Sequence, residues 1–202
     1  ILNLPEDCNL ILFFVLLKKV KGLEIAIKAL VELKKTVPKV KLLIAGKMWK
    51  DDFSYYDTLI KNLCLDKDVI LHLGYVPQKK VDDYYYASDI IILPYKKIYQ
   101  SGVLLMAMSY GIPVIASDLS GMKEVIKDEE NGLLFPAEDH VSFARTIARL
   151  INNKVFAEQL GRKGQEYVKV YHDWNRIGLE TGKFYTKVIE LYKPTKQSSV
   201  GF

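Results

Sequence analysis

The sequence predicts an α/β fold, a doubly wound Rossmann-like parallel sheet of about six strands with helices on both faces. Half of the chain is apolar, with hydrophobic residues at 50% of 202 positions. Short apolar runs alternate with stretches of helical periodicity. The runs are too continuously apolar for one face to meet water, which is typical of parallel strands covered by helices. These three observations favour a sheet built from right-handed β-α-β crossovers.

Each predicted element follows from a local pattern. Apolar runs predict six strands, at residues 9–15, 41–45, 69–73, 90–93, 113–116 and, after the Asn131-Gly132 turn, 133–135. Helical spacing predicts a helix over residues 22–37, ended by Pro38, and further helices over residues 138–192. No linker or repeat interrupts the chain, so we expect one domain over residues 1–193 and a frayed tail over residues 194–202.

The charge of the chain limits the classes of partner that we expect it to bind. A formal net charge of +5 comes from 29 Lys and Arg against 24 Asp and Glu, spread along the sequence. A scattered excess of this size is typical of a solvated surface, so we expect no nucleic-acid partner. The charge is compatible with an anionic ligand or an anionic membrane surface.

The cysteine, histidine and hydropathy patterns argue against a disulfide-rich protein, a metal-site protein and a membrane-spanning protein. Cys8 and Cys64 are too few for a disulfide framework, and the three histidines lie too far apart for a helical or finger-type metal site. The longest apolar run, residues 10–17, is far shorter than the roughly 20 residues that span a bilayer. We expect reduced thiols, no metal and a cytoplasmic location, with the membrane surface as the alternative. Because the chain begins at Ile1 rather than Met, we also expect an N-terminal part to precede it.

A doubly wound sheet binds its ligand at the carboxyl ends of the strands, near the switch point between the first and fourth strands. The first loop there is VLLKKVKG, residues 15–22, with three lysines before a glycine that opens a helix. Lys18 and Lys21 are candidate ligands of a diphosphate, to which lysine offers a mobile point charge, and Gly22 belongs to the same candidate site. The alternative is that these lysines are only solvated.

The second loop leaves the fourth strand as LPYKKIYQ and opens a helix at Ser101-Gly102-Val103. The first turn of a helix has unpaired N–H groups and a partial positive charge, so it binds an anion without a basic side chain. Gly102 lets the anion approach the backbone, and Ser101 caps the helix or donates its hydroxyl. The alternative is that Ser101 is only a cap and Gly102 only a packing residue.

A third strand-end loop has the sequence HLGYVPQKK. There the backbone N–H and C=O of Val76, beside the rigid Pro77, suit a nucleobase edge; the alternative is a plain loop that enters a helix. His72 lies within an apolar strand, which favours a core histidine over a catalytic one. No nucleophile elbow, Cys–His pair or paired carboxylate marks a strand end, so the sequence identifies no catalytic residue.

Six stretches occur in the order and spacing of one known family. They are FFVLLKKVKG, KLLIAGKMW, LGYVP, ASDIIILPY, QSGVLLMAMSYGIPVIASDLSGMKEVI and ENGLLF. Over about residues 9–192 the chain resembles the C-terminal, nucleotide-sugar-binding half of family 4 retaining glycosyltransferases, which have the two-domain GT-B fold. Lys21-Gly22 matches the family's Lys-Gly, and Lys18 matches a basic residue of a subgroup with a QSGV motif.

The resemblance implies transfer of a sugar from a nucleoside-diphosphate sugar to a glycan, lipid or other acceptor in surface polysaccharide or glycoconjugate assembly. It also implies retention of the anomeric configuration, with no metal or other cofactor. The donor diphosphate would be held by Lys18, Lys21 and the amides of Ser101, Gly102 and Val103. Near its sugar or base we expect Val76, Tyr95 and Gln100.

In this family a separate N-terminal Rossmann-like domain supplies most of the acceptor site, and we expect the chain to lack it. The stretch YHDWNRIGLETGKFYTKVIELY resembles the family's C-terminal helices, which return toward that domain. Its partner surface is therefore expected to be partly bare, and the isolated domain inactive. A peripheral membrane association would act through the same N-terminal domain.

The chain departs from the family at four positions. Many members carry a Glu-x7-Glu pair, near the donor sugar and on the ribose, where this chain has Ile98 and Met106. The family's glycine after the first strand falls on Val15, whose side chain is expected to narrow the site, and a common basic position falls on Leu16. The QSGV subgroup also lacks the Glu pair.

The departures from the family pattern motivate the alternative of a catalytically silent binding subunit. A GT-B nucleotide-sugar epimerase is less favoured, because no convincing acid or base lies at a strand end.

Overall fold

The computed structural model describes residues 8–50 and 52–192. Within these residues, six strands form one sheet: β1 (Asn9–Phe14), β2 (Val40–Gly46), β3 (Val69–Leu73), β4 (Ile90–Leu93), β5 (Val114–Ser117) and β6 (Leu133–Phe135). All neighbours are parallel, in the order β3-β2-β1-β4-β5-β6. The order reverses between β1 and β4, whose carboxyl ends therefore border the switch point. The predicted doubly wound α/β fold is confirmed.

Helices connect the strands and form the C-terminal part of the described chain. They are α1 (Leu23–Lys34), α2 (Ser54–Asn62), α3 (Val81–Tyr86), α4 (Gly102–Ser109), α5 (Ser120–Lys123), α6 (His140–Ile151), α7 (Lys154–Tyr171) and α8 (Trp174–Leu191). Helix α1 lies beside α2 and α6, and α4 lies beside α7. The three C-terminal helices match the prediction for residues 138–192, whereas the predicted tail lies outside the described residues.

The central strands form the core because almost every side chain along them is apolar. Every residue of β4 is buried, and so are the four middle residues of β1. Leu12 and Ile91, which pair across these strands, are both fully buried. Complete burial of one such side chain contributes roughly 1.5–3 kcal/mol to folding. The carboxyl ends of β1 and β4 therefore stand on the most rigid part of the sheet.

Two sequence predictions need correction. Strand β3 is not buried on both faces, since Leu71 is 39% and Leu73 43% exposed. The reason is topological: β3 is the edge strand of the sheet. The helix predicted from residue 22 begins instead at Leu23, because Gly22 has a φ of 69° and caps the helix rather than joining it.

Candidate functional site

The two loops that leave β1 and β4 lie against each other at the switch point. The Lys96 N–H donates to Val20 O at 2.9 Å, which joins the loops through their backbones. The Lys96 ammonium also pairs with the Glu24 carboxylate of α1, and this pairing raises the pKa of Lys96. The structure therefore brings together the two loops in which the sequence predicted a diphosphate site.

Gly22 has a backbone role at the contact between the two loops. It ends the short 3-10 turn Lys19–Lys21 in a left-handed conformation and is buried. A Cβ at this position would lie 1.8 Å from Pro94 O, a distance at which two atoms overlap. Glycine therefore permits the close approach of the two loops, which is its contribution to the site.

Lys21 presents a partly dehydrated positive charge. Its Nζ lies 3.7 Å from the centroid of the Tyr95 ring, within cation–π range. Burial, and secondarily the charge of Lys18, lowers the pKa of Lys21 to about 8. An ammonium that has already lost hydration loses less when it pairs with a phosphate, so Lys21 suits the predicted role.

Lys18 occupies the same electrostatic neighbourhood, since its charge contributes to the lowered pKa of Lys21. Its Nζ lies 4.6 Å from the centroid of the Trp49 ring, with Lys50 Nζ at 5.8 Å from the same ring. Trp49 is part of the loop that follows β2, and its N–H donates to Leu17 O at 3.0 Å. Lys18 is thus held between the β1 and β2 loops.

The first turn of α4 offers the predicted N–H groups. Ser101 caps the helix, and its Oγ accepts a hydrogen bond from the Leu104 N–H at 3.2 Å. Among the described residues, neither the Gly102 N–H nor the Val103 N–H donates to an acceptor. Gly102 is exposed, and no atom lies within 4 Å of where its Cβ would stand. We call Lys18, Lys21 and the amides of Gly102 and Val103 the anion site.

Tyr95, which the sequence predicted near the sugar or base, is a buried residue beside Lys21. Its side chain is 0% exposed and lies in the core beneath Lys21, so it offers no surface to a ligand. Its hydroxyl is buried without a hydrogen bond of standard geometry. Burial raises the pKa of Tyr95, and Ser101 beside the hydroxyl opposes that rise. Tyr95 therefore supports the anion site from below.

Gln100 and Val76 lie in different places. Gln100 is exposed and, with Gly102, lines an open groove of about 470 Å³. Glu124 and His172 line the same groove. Val76 is partly buried against the core in the loop after the edge strand β3. The structure therefore puts Gln100 beside the anion site and leaves the role of Val76 as a prediction.

Glu124 and His172 were missed by the sequence reasoning. Glu124 follows α5, and His172 lies between α7 and α8, so neither belongs to a strand-end loop in the central half of the sheet. The one local signal was the GMKEV stretch within the longest family motif. Only the packing of α7 along α4 brings His172 to this edge, and such packing has no short-range signature.

The departures from the family pattern have different structural consequences. Val15 is 4% exposed and belongs to the core, so the expectation that its side chain narrows the site is wrong. Ile98 and Met106 are partly buried against the core. Met106 lines an apolar recess of about 410 Å³ that also includes Val168 and Trp174. Neither position offers a hydrogen-bond acceptor where the resemblance would place a carboxylate.

His72 packs against Tyr84. It is partly buried, and its Nδ1 lies 3.1 Å from the Tyr84 hydroxyl. The two rings also meet edge to face at 5.6 Å.

The described residues contain no group of three or more His, Cys, Asp and Glu placed to hold a metal ion. Within the same residues, no helix combines the length and apolarity that crossing a bilayer requires.

The fold is a doubly wound α/β domain in which the loops after β1 and β4 meet at the switch point, and the family comparison assigns this domain to a family. Residues 1–167 match the family described as "Glycosyl transferases group 1", and the chain belongs to this family. The predicted glycosyltransferase class is thereby confirmed.

Among its relatives, an uncharacterized glycosyltransferase of Methanocaldococcus jannaschii is 27% identical over 195 residues, which is 94% of this chain and 48% of that protein. The sucrose-phosphate synthase structure from Thermosynechococcus elongatus has a TM-score of 0.82 at 28% identity, with 94% of this chain and 48% of that chain covered. The Anabaena HepE structure in complex with UDP also has a TM-score of 0.82, at 20% identity, with 90% and 49% covered. The chain thus spans about half the length of each of these three proteins.

Proposed function

We propose that this chain is the donor-binding domain of a retaining family 4 glycosyltransferase, of the subgroup with the QSGV motif. It would bind a nucleoside-diphosphate sugar, whose sugar the whole protein passes to a glycan, lipid or other acceptor in surface polysaccharide or glycoconjugate assembly. The observation that carries the proposal is the anion site: Lys21 and the first-turn amides of α4, which have no acceptor among the described residues, follow the two strands that border the switch point of the sheet. The capture of UDP by a neighbour of the same fold supports the ligand class.

The anion site suits the chemistry of a departing diphosphate. As the glycosidic bond breaks, negative charge develops on the leaving phosphate, and groups already fixed in place stabilise that charge most effectively. The proposal assigns this task to Lys21, Lys18 and the amides of Gly102 and Val103, with no metal ion or cofactor. The helix N-terminus adds partial positive charge that does not depend on pH.

The groove beside the anion site is our proposed place for the donor sugar. Gln100, Glu124 and His172 give it an amide, a carboxylate and an imidazole, all of which hydrogen-bond to hydroxyl groups. The nucleobase would meet the backbone of Val76. Since Met106 has no carboxylate for the ribose, we expect the diphosphate to supply a larger share of the affinity than the ribose hydroxyls.

The other half of the proposed enzyme would dock on α8. This helix exposes Trp174, Phe184 and Leu191, each a large apolar side chain. Large apolar side chains exposed in number on one element are a feature of interaction sites. We propose that its partner is the N-terminal acceptor domain, through which a cytoplasmic protein would also reach a membrane surface. The chain by itself should then bind the donor without transferring the sugar.

Saturation-transfer NMR tests the donor site directly. The 202-residue chain is mixed with uridine, guanosine, adenosine and thymidine diphosphates, and the matching nucleosides serve as controls. We expect at least one diphosphate to give a clear transfer signal and its nucleoside a much weaker one, because the anion site contacts the phosphates. If no diphosphate binds even at millimolar concentration, the proposal is wrong.

A second candidate is a catalytically silent binding subunit, and one observation favours it. Ile98 and Met106 leave the chain without the two carboxylates that many family members carry. Both candidates predict nucleotide binding, so binding alone does not separate them. Sugar transfer by the whole protein, with its acceptor domain included, would exclude the silent subunit.

A further inference from the structure

Tyr95 is held rigidly at the point where the two loops of the anion site touch. Its carbonyl accepts a hydrogen bond from the buried Ser117 hydroxyl of β5 at 2.5 Å. Its N–H donates to Leu93 O at 2.8 Å, and the next residue, Lys96, binds the backbone of the β1 loop. The position of the ring is therefore set by β4, β5 and the β1 loop together.

The ring supports the ammonium of Lys21 from below. The distance of 3.7 Å between Nζ and the ring centroid is well inside cation–π range, and the ring is fully buried. Burial removes hydration from the ammonium and disfavours its charge, while the negative face of an aromatic ring partly replaces the lost water. An aliphatic side chain of similar size would give Lys21 no such compensation.

The hydroxyl of Tyr95 is not needed for this contact. It is buried, has no hydrogen bond of standard geometry, and lies beside Ser101, the cap of α4. A phenylalanine would therefore keep the ring beneath Lys21 and remove an unpaired polar group. The ring and the hydroxyl can consequently be tested separately.

We propose that Tyr95 is a positioning residue whose ring holds the Lys21 ammonium in place at the anion site. The inference rests on the proposed function, since the position of Lys21 matters most if the anion site binds a diphosphate. It assigns Tyr95 an indirect role, which makes specific the sequence prediction that this residue lies in the vicinity of the sugar or base.

The test is a double-mutant cycle on the 202-residue chain, with uridine diphosphate affinity measured by calorimetry. We expect Tyr95→Leu to weaken binding roughly three- to thirtyfold and Tyr95→Phe to change it by less than about twofold. In a Lys21→Met background, Tyr95→Leu should have no further effect, because the ammonium it supports is gone. Equal losses in both backgrounds would overturn the proposal, since they would show that Tyr95 acts on the fold instead.

Thermal unfolding of every variant controls for damage to the core, and Tyr95→Met replaces Tyr95→Leu if the latter does not fold. The two proposals fail in different ways. If the unmodified chain binds no nucleoside diphosphate, the donor-site function is wrong and this inference falls with it. If the unmodified chain binds and Tyr95→Leu binds equally well, only the role of Tyr95 is wrong.

Discussion

Helices α4 and α8 begin alike but lie in opposite environments. Each starts at a residue whose side chain caps the first turn, Ser101 for α4 and Asp173 for α8. The eight residues of α4 include three that are buried, Leu104, Ala107 and Met108. The 18 residues of α8, all of them described, include none. The described part of the chain thus covers the apolar residues of α4 but leaves those of α8 uncovered.

The difference in burial between α4 and α8 bears on the proposed binding of an anion. Because α4 is anchored along its length, its first-turn N–H groups stay in a fixed position without protein acceptors, as binding of an anion requires. Helix α8 leaves large apolar side chains uncovered, with Trp174 82% and Leu191 71% exposed, and the Asp173 side chain caps its first turn. The predictions below test this contrast, beginning with the largest expected effect.

Replacing Gly22 by alanine should damage the site region most severely. The new Cβ would overlap Pro94 O at 1.8 Å, and the φ of 69° is unfavourable for alanine. We expect a loss of more than about 3 kcal/mol in the free energy of unfolding, measured by urea denaturation. Gly178→Ala in α8 is the matched control, because no atom lies within 4 Å of its Cβ position. Similar transition midpoints for both variants would contradict the close approach of the loops.

Removing one leucine from each helix compares their packing directly. Leu104 of α4 is 1% exposed, so Leu104→Ala should cost about 2–5 kcal/mol of unfolding free energy through the cavity it leaves. Leu179 of α8 is 67% exposed, and Leu179→Ala should stay within about 0.5 kcal/mol. Chemical denaturation of the two variants provides the measurement. A large loss at Leu179 would show that α8 packs on the domain after all.

Lys21→Ala should weaken nucleoside diphosphate binding by about 1–3 kcal/mol, the range for loss of a charge-assisted contact. Calorimetric titration with uridine diphosphate measures the change. Lys187→Ala removes the same charge from the exposed surface of α8 and should leave the dissociation constant unchanged. An unaltered constant for the Lys21 variant would remove that residue from the anion site.

The pH dependence of binding should carry the signature of Lys21. Its pKa of about 8 lies below the ordinary value of 10.5, so the ammonium is lost as pH rises through about 8. Diphosphate affinity should therefore fall between about pH 7 and pH 9, and binding near pH 8 should take up protons. Because the unfolded chain keeps its proton up to about pH 10.5, the contribution of Lys21 to unfolding free energy rises between these two pKa values. Lys21→Ala should flatten both trends, and profiles that keep their slope in this variant would assign them to another group.

The smallest expected effect belongs to Gly182→Ala, within α8. Alanine in a helix interior is favoured over glycine by about 0.5–1 kcal/mol. Since α8 buries no residue, the gain should slow amide exchange within α8 and leave the main unfolding transition of the sheet nearly unmoved. A clear rise in the melting temperature of the whole domain would show that α8 unfolds together with the core.

Sequence patterns predicted the parts of the fold that depend on neighbouring residues. Continuous apolar runs located all six strands, and the Ser-Gly-Val start of α4 was located by its capping chemistry. The exposure of Leu71 and Leu73 was not predictable in this way, because strand order decides which strand forms an edge. Local pattern therefore located the elements, while their neighbours across the sheet determined the environment of each.

In the candidate site, too, local sequence position predicted some features, while contacts between distant residues decided others. Lys21 and Gly102 follow strand ends, and the general position of ligands in doubly wound sheets was enough to select them. Tyr95 also follows a strand end, yet its ring is buried under a lysine that lies 74 positions earlier in the sequence. Whether a loop residue points toward solvent or toward the core depends on such distant contacts. Sequence position therefore selected the loop that contains Tyr95 but did not reveal that its ring is buried.

The pairing of β1 with β4 has a consequence for how the chain is made. Ile11 pairs with Ile90, and the Leu10 N–H donates to an Asp89 carboxylate that lies 79 residues away. The centre of the sheet closes only after the chain has been synthesised through β4, and the first turn of α4 follows later still. Contacts between such distant segments form slowly, and the apolar β1 stays unpaired on that side in the meantime. On a ribosome, nucleotide capture would therefore report that this late closure is complete.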